Sequence, residues 1–146
     1  MEIEKRLIEV KPGSFIFEFN NSLSEDICKD IVKRFEESKD EHYEGRVGQT
    51  FEKNTDIKKS TDMVVSGKDN WKDVDKILFT SLSKALSAVK KQYDFFSGPF
   101  KDIGYAVQRT NPGEYFHWHI DSGSHQFSDR QLVAIWYLNN VSGPGG

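Results

Sequence analysis

In an extended chain, side chains two apart point the same way, and His119 and Asp121 form such a pair. An imidazole nitrogen and a carboxylate oxygen both ligate iron. Together they make two thirds of a 2-His-1-carboxylate facial site, which leaves positions on one side of the metal open. His117 has the same parity, so His117-Trp118-His119-Ile120-Asp121 offers three donors on one edge if the extension runs straight. Zinc would also accept that set. Three consecutive same-face positions span too far for one ion without a bend, so His117 reads as a mouth or surface residue. His125, in the loop beyond, reads the same way. Trp118 and Ile120 face the other way and are expected in the core. The His-x-Asp pattern alone is common by chance, so its setting matters.

That setting is a predicted strand in which Ile103, Tyr105 and Val107 alternate with Gly104, Ala106 and Gln108. A Pro112-Gly113 turn and a second extended run follow, ending at Asp121. After a polar loop over 122–129, Gln131 to Leu138 is apolar on both faces and predicts a strand buried from both sides.

Upstream, residues 7–10 and 15–19 read as two strands around Pro12-Gly13, with Phe15, Phe17 and Phe19 on one core-facing side. Ser24 caps a helix reaching about Ser38, with Ile27, Cys28, Ile31, Val32 and Phe35 at helical spacing. Lys39 to Ser60 is polar and loop-like, and His42 within it reads as solvated. Thr61 to Ser66 is a short strand. Asn70 is placed to cap a helix over about 72–93, striped by Val74, Ile77, Leu78, Leu82, Ala85, Leu86, Val89 and Tyr93. Two long helices against a mostly antiparallel sheet predict an α+β fold, with residues 1–146 as a single domain.

The 146 residues suit one core, and 13% aromatics with 11 Phe suit a sandwich or barrel interior. A formal net charge of −3 gives no global attraction to nucleic acid or acidic membranes. The charged N-terminus has no apolar signal core, and no apolar run approaches the ~18 residues of a membrane span. The single cysteine, Cys28, reads as a packed thiol and suits a reducing compartment, so a cytoplasmic protein is expected.

The stretch Gln108 to Asp121, then Arg130, Trp136-Tyr137-Leu138-Asn139 and Gly145-Gly146, resembles the prolyl 4-hydroxylase-like group of Fe(II)/2-oxoglutarate-dependent dioxygenases over about 40 residues. The resemblance implies a double-stranded β-helix (jelly roll) braced by N-terminal helices. His119 and Asp121 would be iron ligands. Tyr137 would contact the 2-oxoglutarate carboxylate, and Arg130 would sit near the substrate mouth. Thr110 stands where many members place a tyrosine near the co-substrate, and Phe116 where tyrosine is frequent. The implied reaction uses Fe(II), O2 and 2-oxoglutarate, releases succinate and hydroxylates a C–H bond, with a peptide or protein substrate and peptidyl proline as default.

In that family the second metal histidine and the basic partner of 2-oxoglutarate follow the Gly-Gly turn. This chain is therefore expected to be the N-terminal portion of such a domain, with C-terminal strands missing, little activity alone and strand edges open to self-association. Two other classes stay open. One is a non-enzymatic binding or interaction domain in which His119 and Asp121 are a structural pair. The other is a zinc site drawing on His117, His119 and Asp121 or His125.

Overall fold

A computed structural model describes residues 7–48 and 50–143. Strands β1 (Leu7–Glu9) and β2 (Phe17–Phe19) form an antiparallel pair and are followed by helix α1 (Glu25–Glu37). Strands β3 (Tyr43–Glu44), β4 (Lys58–Lys59) and β5 (Thr61–Val64) precede helix α2 (Lys72–Gln92), and β6 (Ala106–Arg109) and β7 (Tyr115–Phe116) come last. The described strands make three small antiparallel sheets, β1-β2, β3-β5-β6 and β4-β7. The fold is α+β.

Local chemistry explains the first helix well. Ser24 Oγ accepts the Ile27 N–H at 3.3 Å, and Glu25 and Asp26 occupy the first turn, where the helix dipole favours negative charge. Ile31 and Phe35 then fall on the buried face, while Val32 is left exposed. The stripe read along α2 is at least half-buried throughout, with Val74, Leu78 and Val89 fully so. Its start differs from expectation: Asn70 does not cap it. A short 3-10 turn over Asp69–Trp71 winds directly into the helix, and the Asn70 carbonyl accepts from the Arg34 guanidinium instead.

The core gathers Ile31, Phe35, Met63, Val65, Trp71, Val74 and Leu78 between the two helices and the sheet centred on β5. Arg34 clasps the two helices over this core. Its guanidinium donates to Asp73 at 2.8 and 3.1 Å and lies 4.3 Å from the centre of the Trp71 ring. Arg34→Ala is expected to cost about 2 kcal/mol, read from the urea midpoint, through lost charge-assisted bonds and stem packing. A change below about 0.5 kcal/mol would show the clasp to be a solvated surface pair. The Arg34 bonds also hold the Asp73 carboxyl below its ordinary value of 3.8. That contribution is present above pH 3.8 and is lost as the pH falls through the lower folded-state value.

Three further expectations about the elements need correction. The polar run 39–60 is not one open loop: it contains β3 and β4 and a Val47–Glu52 bridge. Its strands are too short for a periodic signal. Phe15 does not continue the β2 alternation. Its φ of 56° takes it off the ladder, and it is 51% exposed while touching Tyr93, Phe95 and Phe96.

The third concerns Gln131 to Leu138, which pairs with no strand among the described residues and is not buried on both faces. Only one side is used: Trp136 and Leu138 pack on the core, with Trp136 Nε1 donating to Ser81 Oγ at 3.0 Å. Leu132, Val133, Ile135 and Tyr137 are exposed. An apolar run is buried on both faces only where a layer covers each, and here one layer is present.

Candidate metal site

The site is carried by β7 and the turn after it. Leaving β6, the chain reverses through Asn111–Glu114, where the Glu114 side chain accepts the Asn111 N–H at 2.8 Å and the Asn111 carbonyl accepts the Glu114 N–H at 2.9 Å. Gly113 supplies the turn's φ of 82°, a conformation other L-residues rarely adopt. The chain then docks on β4, with Tyr115 opposite Lys59 and Phe116 opposite Lys58. Two bonds to the chain just before β4 fasten the docking. His117 N–H donates to the Ile57 carbonyl at 3.0 Å, and Tyr115 Oη–H to the Thr55 carbonyl at 2.6 Å.

Beyond His117 the extension bends. The His119 ring stacks on Phe116 at 3.7 Å and 14°, while the His117 ring lies against Tyr115 at 4.9 Å. The two histidines therefore part, and the straight-edge set of three donors does not form. Trp118 and Ile120 are not core residues: at 103% and 76% exposure they project into solvent, because no layer of the described residues covers this side of the bend.

His119 and Asp121 stay together. His119 Nδ1 is 2.8 Å from the His117 carbonyl oxygen. A carbonyl only accepts, so Nδ1 carries a proton, and in the neutral ring Nε2 is then the nitrogen with the lone pair, the tautomer of a metal-ligating imidazole. Nε2 lies 3.7 Å from Asp121 Oδ1, and both side chains are accessible to water at 38% and 42% exposure. With ligand bonds of about 2.0–2.2 Å, donors at that separation can share one ion at an angle somewhat wider than tetrahedral. A facial right angle needs them about 3 Å apart at the same bond lengths, a small closure.

The other candidates lie elsewhere. Thr110 is exposed and meets the Gln108 amide at 3.4 Å. Tyr137 is 78% exposed on the extended segment. The Arg130 guanidinium sits 4.0 Å from the centre of the Phe127 ring, with its Nε buried and unbonded. None of these takes part in the hydrogen bond, ring stack or ion pair formed by His119 and Asp121. Among the described residues no three His, Cys, Asp or Glu side chains gather to hold an ion, which includes His117 and His125. His42 is not a solvated loop residue: it is half-buried, its ring stacks on Phe35 at 4.2 Å, and its Nε2 meets the Phe35 carbonyl at 2.8 Å. Cys28 is half-buried, and burial raises its thiol pKa, as fits a packed thiol. No described helix is long and apolar enough to cross a membrane.

One group escaped the sequence reading altogether. Lys58 Nζ donates to Asp62 Oδ2 at 2.6 Å, Ser60 Oγ donates to Asp62 Oδ1 at 2.8 Å, and all three residues are buried. Their spacing of two is the signal that placed them on one face, hidden by the polarity of the run around them. Lys58 also lies against Phe116, 4.8 Å from the ring centre.

No protein-family model matches the chain, and neither a curated protein nor a solved structure is significantly similar to it.

Proposed function

We propose that His119 and Asp121 form the metal-holding face of an Fe(II)- and 2-oxoglutarate-dependent dioxygenase of the prolyl 4-hydroxylase type, which hydroxylates a C–H bond with peptidyl proline as default substrate. The observation that carries the reading is the His119 Nδ1 bond to the His117 carbonyl, which leaves Nε2 as the nitrogen available to a metal, 3.7 Å from the Asp121 carboxylate. When bound, Fe(II) with 2-oxoglutarate supplies O2 activation coupled to decarboxylation of the co-substrate to succinate.

This chain's residues have simpler tasks. His119 Nε2 and Asp121 hold the ion, and the His117 carbonyl keeps the proton on Nδ1. By resemblance, Tyr137 and Thr110 would meet 2-oxoglutarate and Arg130 the substrate. On this reading the small antiparallel sheets are the first part of a jelly roll. The outer edge of β6 and the uncovered side of 131–138 are where further strands, or a second copy of the chain, would add. Sedimentation that stays monomeric at high concentration would remove the self-association expectation.

Calorimetric titration with Co(II) or Mn(II) tests the assignment. The chain is expected to bind, and His119→Ala or Asp121→Ala to weaken binding at least ten-fold. Unchanged affinity in both variants would overturn it, and no binding heat at all would favour a non-enzymatic interaction domain. Stoichiometric zinc retained through purification would favour a zinc protein. Two protein donors hold iron loosely, so 2-oxoglutarate-dependent succinate release by this chain is expected to be weak. Robust release abolished by His119→Ala would overturn that expectation and keep the assignment.

A further inference from the structure

Phe116 is the platform on which His119 rests, yet its own surroundings are thin: the ring is 37% exposed. Its ring meets the imidazole, stacked at 3.7 Å, and the Lys58 ammonium, 4.8 Å from its centre. Lys58 is an unusual residue to find there. Its side chain is only 8% exposed, beside an Asp62 side chain at 9%. Burying both charges costs several kcal/mol in desolvation that a well-packed apolar pair would avoid. The backbone makes room for the Ser60–Lys58 group. A Cβ on Gly45 would meet Ser60 Oγ first and come within 2.8 and 2.9 Å of Lys58 Cε and Cδ.

We propose that Lys58 is a positioning residue for His119, acting through Phe116. The inference rests on the metal-site reading above. Asp62 and Ser60 fix the ammonium, and the cross-strand register places Phe116 opposite Lys58. Attraction between the ammonium and the ring quadrupole holds the ring. The ring then fixes the plane of the imidazole, while the His117 carbonyl fixes its rotation about that plane. Residues behind a metal ligand typically change affinity ten- to a hundred-fold when removed, and one acting across a ring is expected at the lower end.

Three variants and their combination test this. Lys58→Met is expected to weaken Co(II) affinity about three- to ten-fold, and Lys58→Arg to restore it to within two-fold of the original. Phe116→Leu is expected to match Lys58→Met, and the double variant to be no weaker than Phe116→Leu alone, because the two act in series. A Lys58→Met penalty that persists in the Phe116→Leu background overturns the proposal.

The metal-free protein gives an independent readout. The stacked Phe116 ring shifts the His119 ring-proton NMR signals, and these are expected to move in Lys58→Met and stay in Lys58→Arg. If Lys58→Met does not fold, Gly45→Ala, which crowds both Ser60 and the lysine stem that it helps fix and keeps the charge, is expected to move the same signals. Signals unmoved in the folded variants overturn the proposal. A chain that binds no Co(II) but shows the expected ring shifts fails the metal reading and leaves the positioning intact.

Discussion

Replacing Trp71 with alanine is expected to remove about 3–5 kcal/mol of folding stability, the range for deleting a large buried aromatic. Trp71 is 1% exposed and belongs to the core cluster with Met63, Val74 and Leu78. It also stands just before α2, so the same side chain fixes where the helix enters the core. The loss has two sources. A cavity opens among side chains that cannot collapse into it, and the Arg34 guanidinium loses the ring it covers. A domain of this size commonly holds about 5–15 kcal/mol in total, so the variant should be markedly less folded at 37 °C. Urea unfolding followed by circular dichroism measures it. A loss under about 1 kcal/mol would mean that the core closes without the indole.

Asp62→Ala is expected to cost a similar amount, about 3–5 kcal/mol, by a different route. It removes little volume but leaves the Lys58 ammonium and the Ser60 hydroxyl buried without their shared acceptor. The informative comparison is the double change Lys58→Met with Asp62→Ala. Replacing both charges with apolar groups is expected to recover most of the stability, since the pair's cost lies in leaving one member alone. If Asp62→Ala is mild, below about 1 kcal/mol, the lysine reaches water and the pair is not a sealed one. The double variant would then gain nothing.

Much of this architecture was legible in the sequence, for identifiable reasons. Both long helices announced themselves through apolar periodicity sustained over several turns, and Ser24 through cap chemistry. The short strands did not. A two-residue strand such as β4 carries no period, and its residues Lys58 and Lys59 fall in a run that reads as a polar loop. Only tertiary closure buries Lys58 while leaving Lys59 exposed. Within the candidate site, His119 and Asp121 stay close as near neighbours in sequence, although the chain there is bent and not extended. The separation of His117 did not follow from spacing, because it depends on a bend after β7 and on which aromatic each imidazole leans against. The 131–138 run misled in the opposite sense: its composition describes what could cover it, and the described residues cover one side.

The small size of the β4-β7 sheet sets the order in which this molecule should come apart. His119 and Asp121 ride on an arm secured by two residue pairs and two flanking hydrogen bonds. The core around Met63 and Trp71 is sealed by two helices. Opening the arm needs only a sub-global fluctuation, well below the free energy of complete unfolding. On warming, backbone amides of Phe116 and His117 should exchange with solvent before those of Met63 and Val65. Binding at the proposed metal site should accordingly be lost several degrees below the main calorimetric transition, and an ion bound there should narrow that gap by closing the arm from its far end.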